Sequence, residues 1–332
     1  MRKKHERRKI MRKKEKNQLQ GFMVGLILLL GCWLVLPLAA ENKFEQKFEK
    51  TVNLARDGQV LVSNVSGDIK FLVWKEEKVK IEAIKYSSAS SEARAKENAD
   101  KVTIEVSDKP GLVKIETRYP ESGKWFGGNI NVTVNYTIWV PEQASIESKT
   151  VSGDVQVENA GGAVKVETVS GDVTVMGGKK SVYVKAVSGD IRVTGAEGDC
   201  ELNSVSGDIQ VSQVQGSVEA EVVSGSIKLE DIRGAKKVSA KSISGNIVYR
   251  GQVLQDGTYK FSSHSGEVKL YLPADSSFDL EASSFSGSVT TDFPVEVVGK
   301  LSGKTIQGKV GKGGSEVSAK AFSGSVEIRK GS

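Results

Sequence analysis

The sequence predicts an all-β protein: a parallel β-solenoid with coils of about 18–21 residues, preceded by a single N-terminal transmembrane helix. Three observations predict it. A Ser-Gly corner recurs with Gly at 67, 153, 171, 189, 207, 225, 245, 266, 287 and 324. Between corners apolar and polar residues alternate, as in Val155-Gln156-Val157-Glu158 and Val164-Lys165-Val166-Glu167. Residues 21–40, GFMVGLILLLGCWLVLPLAA, carry no charge.

Residues 1–20 hold ten Lys or Arg against Glu6 and Glu15, which is +8. The whole chain is +6, so the remainder is −2 and the basic character belongs to this tail. A fold that is not itself basic is excluded as a nucleic-acid binder. Twenty uncharged residues then suffice to cross a hydrocarbon core of roughly 30 Å as a helix. The positive-inside bias places the tail in the cytoplasm and the C-terminal bulk outside, at the cell membrane. A secreted protein cleaved near Leu38-Ala39-Ala40 is the alternative. Leu30-Gly31-Cys32 resembles a lipoprotein acylation site, but Trp33 to Leu36 continue the apolar run. Arg7-Arg8 resembles a twin-arginine signal no better than it fits a lipid-attracting basic tail.

Residues 41–150 form the N-terminal, strand-rich part of the solenoid domain. Leu61 to Phe71 reads as a first coil. Strand-like stretches follow at 79–86, 102–106, 112–118 and 130–140, with one helix over Ser90 to Ala99. This is the pattern of an insertion that caps an open solenoid end, whose exposed strands would otherwise pair edge to edge.

Residues 151–332 are the regular repeat. Period-two alternation gives two short strands per coil with one face buried. Alignment puts Val164, Val182, Cys200 and Val218 in one column and Val166, Val184, Leu202 and Ala220 in another, the apolar columns that stacked coils bury together. The parity breaks between Thr168 and Val169, so a corner is expected there. Ser170-Gly171 supplies it, with Asp172 capping the turn. The handedness rule for parallel crossovers predicts right-handed winding. Residues 299–317, rich in Gly and Lys, read as a loop before a closing coil at Ala321 to Ile328.

The hydrophobic N-terminal segment, the lead-in ending in YTIWVP, the serial VSGDV or SG-x-V coils and the closing GKVGKGGSEVSAKAFSGSVEIR resemble the bacterial putative-adhesin family. This is a group of β-strand-repeat (SGD-repeat) envelope proteins, a domain of unknown function. The resemblance covers roughly residues 44–330. It implies the fold and an adhesin-like role in the envelope; some members resemble accessory proteins of envelope-stress operons. It brings no functional residue, because the shared residues are structural.

Asp68, Asp154, Asp172, Asp190 and Asp208 form a column of oxygen ligands that could hold Ca²⁺. The column continues as Ser226, Asn246, Glu267, Ser288 and Ser325, a series of turn formers, and capping explains every member. Glu201, Glu219 and Glu221 face outward on adjacent coils, as paired-carboxylate hydrolysis requires. Their columns continue as Lys165, Tyr183 and Lys241, which is the pattern of a solvated face. His264 shares the column of Val223, Ile243 and Phe285 and reads as a buried corner residue. Cys200 replaces valine in a buried column and reads as an inert thiol; with Cys32 it makes no disulfide framework. Asn64, Asn131 and Asn135 head short sequons that matter only in a eukaryotic secretory setting.

No catalytic, cofactor-binding or metal-ligating residue is assigned, and no enzyme activity is expected. The expected function is a membrane-anchored, non-enzymatic interaction module of the bacterial envelope, with two alternatives. One is an accessory or sensing role in envelope stress; the other is a carbohydrate-active β-helix enzyme. Expected partners are the bilayer through residues 21–40 and an envelope protein or cell-wall polymer. Self-association through the solenoid ends is a further route.

Overall fold

A computed structural model describes residues 42–120, 131–297 and 303–331. The predicted transmembrane segment and basic tail lie outside them. No helix among the described residues is long and apolar enough to cross a membrane.

Lys43–Ser332 forms one compact unit in which, among the described residues, strands build two sheets of 13 and 14, mostly parallel. Each regular coil contributes one strand to each sheet. Val164–Ser170 enters the larger sheet, turns at Gly171, and continues as Val173–Met176 in the smaller one. The 18-residue period is visible as register: Val164 pairs with Val182, Val182 with Cys200, and Cys200 with Val218. Both aligned columns are buried between the sheets. Sharing one core down the stack is what makes a coil of this size stable, because no coil hides its apolar face alone.

Toward the C-terminal end the core carries larger residues. Tyr249 packs on Phe261 with centroids 5.0 Å apart. The Tyr259 hydroxyl donates to the Ala235 carbonyl at 2.7 Å and accepts from the Leu254 amide at 2.8 Å, so the buried ring keeps its polar end satisfied.

The first coil stacks directly on the second although a long insertion separates them in sequence. Gln59–Ser66 pairs with Ser145–Ser152, and Ile69–Trp74 with Val155–Glu158. The insertion extends both sheets past the first coil. Asn131–Pro141 lies parallel to Ile69–Trp74 and antiparallel to Lys78–Ala89; Leu112–Arg118 lies parallel to Gln59–Ser66 and antiparallel to Thr103–Lys109. One helix, α1 (Glu92–Lys101), begins two residues later than its sequence suggests. Its N-cap is Ser91, which accepts the Arg94 amide at 3.3 Å. Ala95 and Ala99 are its buried face.

Two expectations require correction. The alternation does not break at Thr168: Thr168 is buried, Val169 points outward, and the corner lies after it at Ser170-Gly171. The residue before Ser-Gly is therefore a surface position in every regular coil, and His264, expected in the core, is exposed.

The second correction concerns the C-terminal end. The 37-residue step from Gly287 to Gly324 does not continue the stack in order. The coil of Glu316–Ser323 and Val326–Lys330 inserts between Thr258–Ser265 with Val268–Leu272 on one side and Phe278–Ser284 with Val289–Thr291 on the other. The expected loop at 299–317 contains a strand, Thr305–Val310, antiparallel to both Phe278–Ser284 and Val295–Val297. Its inward positions are Ile306, which is only partly buried, Gly308 and Val310, an alternation that a glycine interrupts among further glycines and lysines.

Candidate functional site

The corner is held by main-chain geometry. Gly171 has φ +135°, and a Cβ there would overlap the carbonyl oxygen of Gly153 one coil below. The same relation links Gly189 to Gly171 and Gly207 to Gly189. Glycine is required both for its backbone conformation and for the close approach of the next turn.

The aspartates beside it do not cap their own turns as expected. Each reaches to the next coil: the Asp154 Oδ1 accepts the Asp172 amide at 2.8 Å, Asp172 that of Asp190 at 2.9 Å, and Asp190 that of Asp208 at 2.9 Å. Asp208 accepts the Ser226 amide at 2.8 Å, and Asn246 accepts that of Glu267 at 2.9 Å. The second oxygens of Asp172 and Asp190 take the Arg192 guanidinium at 3.1 and 2.7 Å. These carboxylates are thus committed to amides and arginine. No group of three or more acidic, His or Cys side chains among the described residues is arranged to hold a metal ion.

Glu201 and Glu219 are neighbours in register, while Glu221 pairs with Asn203 and Lys241. All three are exposed. Lys237 Nζ lies 3.2 Å from Glu219 and Lys241 Nζ 3.8 Å from Glu221. An open groove of about 360 Å³ runs past Tyr183, Glu201 and Glu219. Glu201 and Glu219 are both solvent-exposed there, unlike the desolvated carboxylic acid that typically serves as a general acid.

Cys200 is buried, and burial pushes its thiol up to about 12, far from a reactive thiolate. Asn64 is also buried; its amide nitrogen donates to the carbonyls of Ser66, Gly67 and Val134. That sequon is a structural cross-link. Asn135 Oδ1 accepts the Asp68 amide at 3.1 Å, and Asn131 is exposed.

The feature that sequence reasoning missed is the outward column before Ser-Gly. Val151, Val169, Val187, Val205, Val223 and Ile243 are 43–48% exposed on consecutive coils, and the row continues through His264, Phe322 and Phe285. The last three stack: the His264 and Phe322 rings lie 4.7 Å apart at 9°, and those of Phe322 and Phe285 4.7 Å apart at 3°. Lys304 Nζ stands 5.9 Å from the Phe285 centroid. One flank of this strip is a column of serines, Ser152, Ser170, Ser188, Ser206 and Ser224 among them. The other flank is Lys149, Glu167, Lys185, Asn203, Glu221 and Lys241. Shallow grooves follow it, about 180 Å³ around Val205 and Val223 and about 470 Å³ around Ile243, His264 and Phe322. A contiguous apolar strip with a polar rim is the signature of a contact surface. The repeated V-S-G was the available signal, since it places one valine per coil beside the glycine.

The sequence profile of Toastrack DUF4097 matches residues 60–252 and 250–329. No curated protein matches the chain. Among solved structures, the chain is similar to a putative lipid-binding protein from Parabacteroides distasonis ATCC 8503, at 13% identity and TM-score 0.45, covering 86% of this chain and 97% of that one. It is also similar to a putative adhesin from Bacteroides fragilis NCTC 9343, at 13% identity and TM-score 0.40, with the same coverage of each chain. With the profile spanning the first coil through the last, the chain belongs to the Toastrack DUF4097 family.

Proposed function

We propose that this protein is a non-enzymatic interaction module of the bacterial envelope. Residues 21–40 hold it in the membrane, the basic tail stays in the cytoplasm, and the two-sheet stack projects outside. The observation that carries the reading is the apolar strip from Val151 to Phe285. Nine outward apolar or aromatic side chains in one line lower solubility and contribute nothing to the core, so their retention points to contact with another molecule. The acidic cluster supports the non-enzymatic side, because its carboxylates are solvated and offset by lysines.

The test is retention of purified cell-wall polymers and solubilised envelope proteins on the immobilised full chain, compared with Val187→Asp and Val223→Asp. Saturable retention that falls at least about tenfold in the variants supports the reading. Retention unchanged by both variants moves the contact surface elsewhere and overturns it. Turnover of an envelope polysaccharide that Glu201→Gln with Glu219→Gln abolishes would establish the enzyme alternative instead.

A further inference from the structure

We infer that the apolar strip docks on the same strip of a second copy, the two stacks running antiparallel with a two-fold axis through Val205. This deepens the interaction reading and rests on it.

Pitch is the first argument. Rungs along the strip repeat at the strand spacing, about 4.8 Å, and a second copy offers apolar rungs at that same interval. Val65, partly exposed beside Val151 on the first coil, adds a rung, and the nine from Val65 to Phe322 then meet in register over roughly 38 Å.

Charge is the second. A parallel pair would set the Lys/Glu column against serines. An antiparallel pair sets the column against itself, and the axis position decides which charges meet. With the axis at Val205 and Asn203, Lys185 faces Glu221 of the second copy, and Glu167 faces Lys241. Val187 then meets Val223, Val169 meets Ile243, and Val151 meets His264. Moving the axis half a coil one way sets Glu167 against Glu221 and Lys149 against Lys241. Moving it the other way sets Lys185 against Lys241 and Lys149 against Lys320. Of these three registers only the central one pairs opposite signs, and like charges brought together across an interface are strongly disfavoured. An axis midway between Glu167 and Lys185 also pairs opposite signs, but the strips then meet over six rungs instead of nine. The contacts within one copy that this exchanges are Glu221 with Lys241 at 3.8 Å and those of Glu167 with Lys165 at 3.1 Å and Lys149 at 3.7 Å; all are solvent-accessible ion pairs of the kind that contribute little.

Area is the third. A strip about 38 Å long and about 15 Å wide buries on the order of 1,100 Å² over both copies, the low end for a specific interface. An interface of that size fits a weak, reversible dimer, to be sought at micromolar concentrations and above.

The experiment uses the purified full chain in mild detergent, in a Cys32→Ser background. Its mass is followed by analytical ultracentrifugation up to about 100 μM. Val205→Cys is expected to form a disulfide-linked dimer on mild oxidation, because the axis places it beside itself; Val151→Cys alone is not. Lys185→Glu is expected to weaken association at least about tenfold, and Lys185→Glu with Glu221→Lys to restore it. Circular dichroism and melting confirm that each variant is folded. A monomer throughout the range overturns the inference, as does equal cross-linking at 151 and 205, which marks parallel pairing. Saturable, strip-dependent retention of an envelope component by a chain that stays monomeric overturns the dimer alone and leaves the interaction reading standing.

Discussion

The carboxylate of Asp190 accepts the backbone amide of Asp208 at 2.9 Å, so a side chain in one coil satisfies the main chain of the next. Arg192 adds a second contact to the same carboxylate at 2.7 Å. Asp190→Ala removes an acceptor from a partly buried amide and is expected to cost about 1–2 kcal/mol. Asp190→Asn, which keeps an oxygen there as Asn246 does naturally, should cost less than half of that. Urea unfolding of the three proteins checks the order.

Gly189→Ala should be worse. The methyl meets the Gly171 carbonyl oxygen and the residue sits at φ +135°, so strain and overlap together are expected to cost about 3 kcal/mol or more. Gly111→Ala, at φ +77° but with open space around it, isolates the conformational part. Its destabilisation should be clearly smaller in the same urea series.

Cys200 gives a pH dependence with a definite sign. Its thiol lies at about 12 in the folded chain against an ordinary value of 9.0. The unfolded thiol therefore ionises first. The stability tied to this group is whole below pH 9 and is lost as pH rises toward 12. Cys200→Val should flatten that part of the alkaline decline. Iodoacetamide at pH 8 should label the peptide containing Cys200 only after denaturant is added.

Lys85 has the opposite sign. It is buried, its ammonium donates to the Ala99 carbonyl at 3.2 Å and to Gln46 Oε1 at 3.0 Å, and desolvation pulls its pKa below 10.5. Keeping it charged opposes folding below its lowered pKa, and the penalty is relieved as pH rises toward 10.5. Lys85→Met should raise stability at neutral pH relative to its effect at pH 10, read from paired urea curves.

Removing residues 316–331 should release the coil of Phe278–Ser284 and Val289–Thr291, since the removed strands lie between it and the rest. Hydrogen exchange should show protection lost from 278 onward and kept through Tyr249. Loss of protection throughout the stack would contradict this arrangement.

Much of this was legible in the chain itself. Val164, Val182 and Cys200 announce one buried column because the period is constant and the alternation strict. The corner glycines are equally plain. Val169 was misplaced because hydrophobicity argues for burial while only the position of the bend, one residue further on, decides which way it points. The same error put His264 inside. The inserted coil was hidden for another reason: Ser-Gly counts corners along the sequence and says nothing of their order in space. Thr305–Val310 escaped because glycine stands between Ile306 and Val310 on its inward face, which leaves a weak periodic signal.

The amide-to-carboxylate bonds from Asp154 to Ser226 all run the same way, and every coil between them meets its neighbours through the same atoms. Excising residues 172–189 would set the coil of Asp190 on that of Asp154 with no new kind of contact. Length is thus a free variable of this architecture, adjustable in increments of about 4.8 Å per coil, and selection can extend or shorten the stack without inventing a joint.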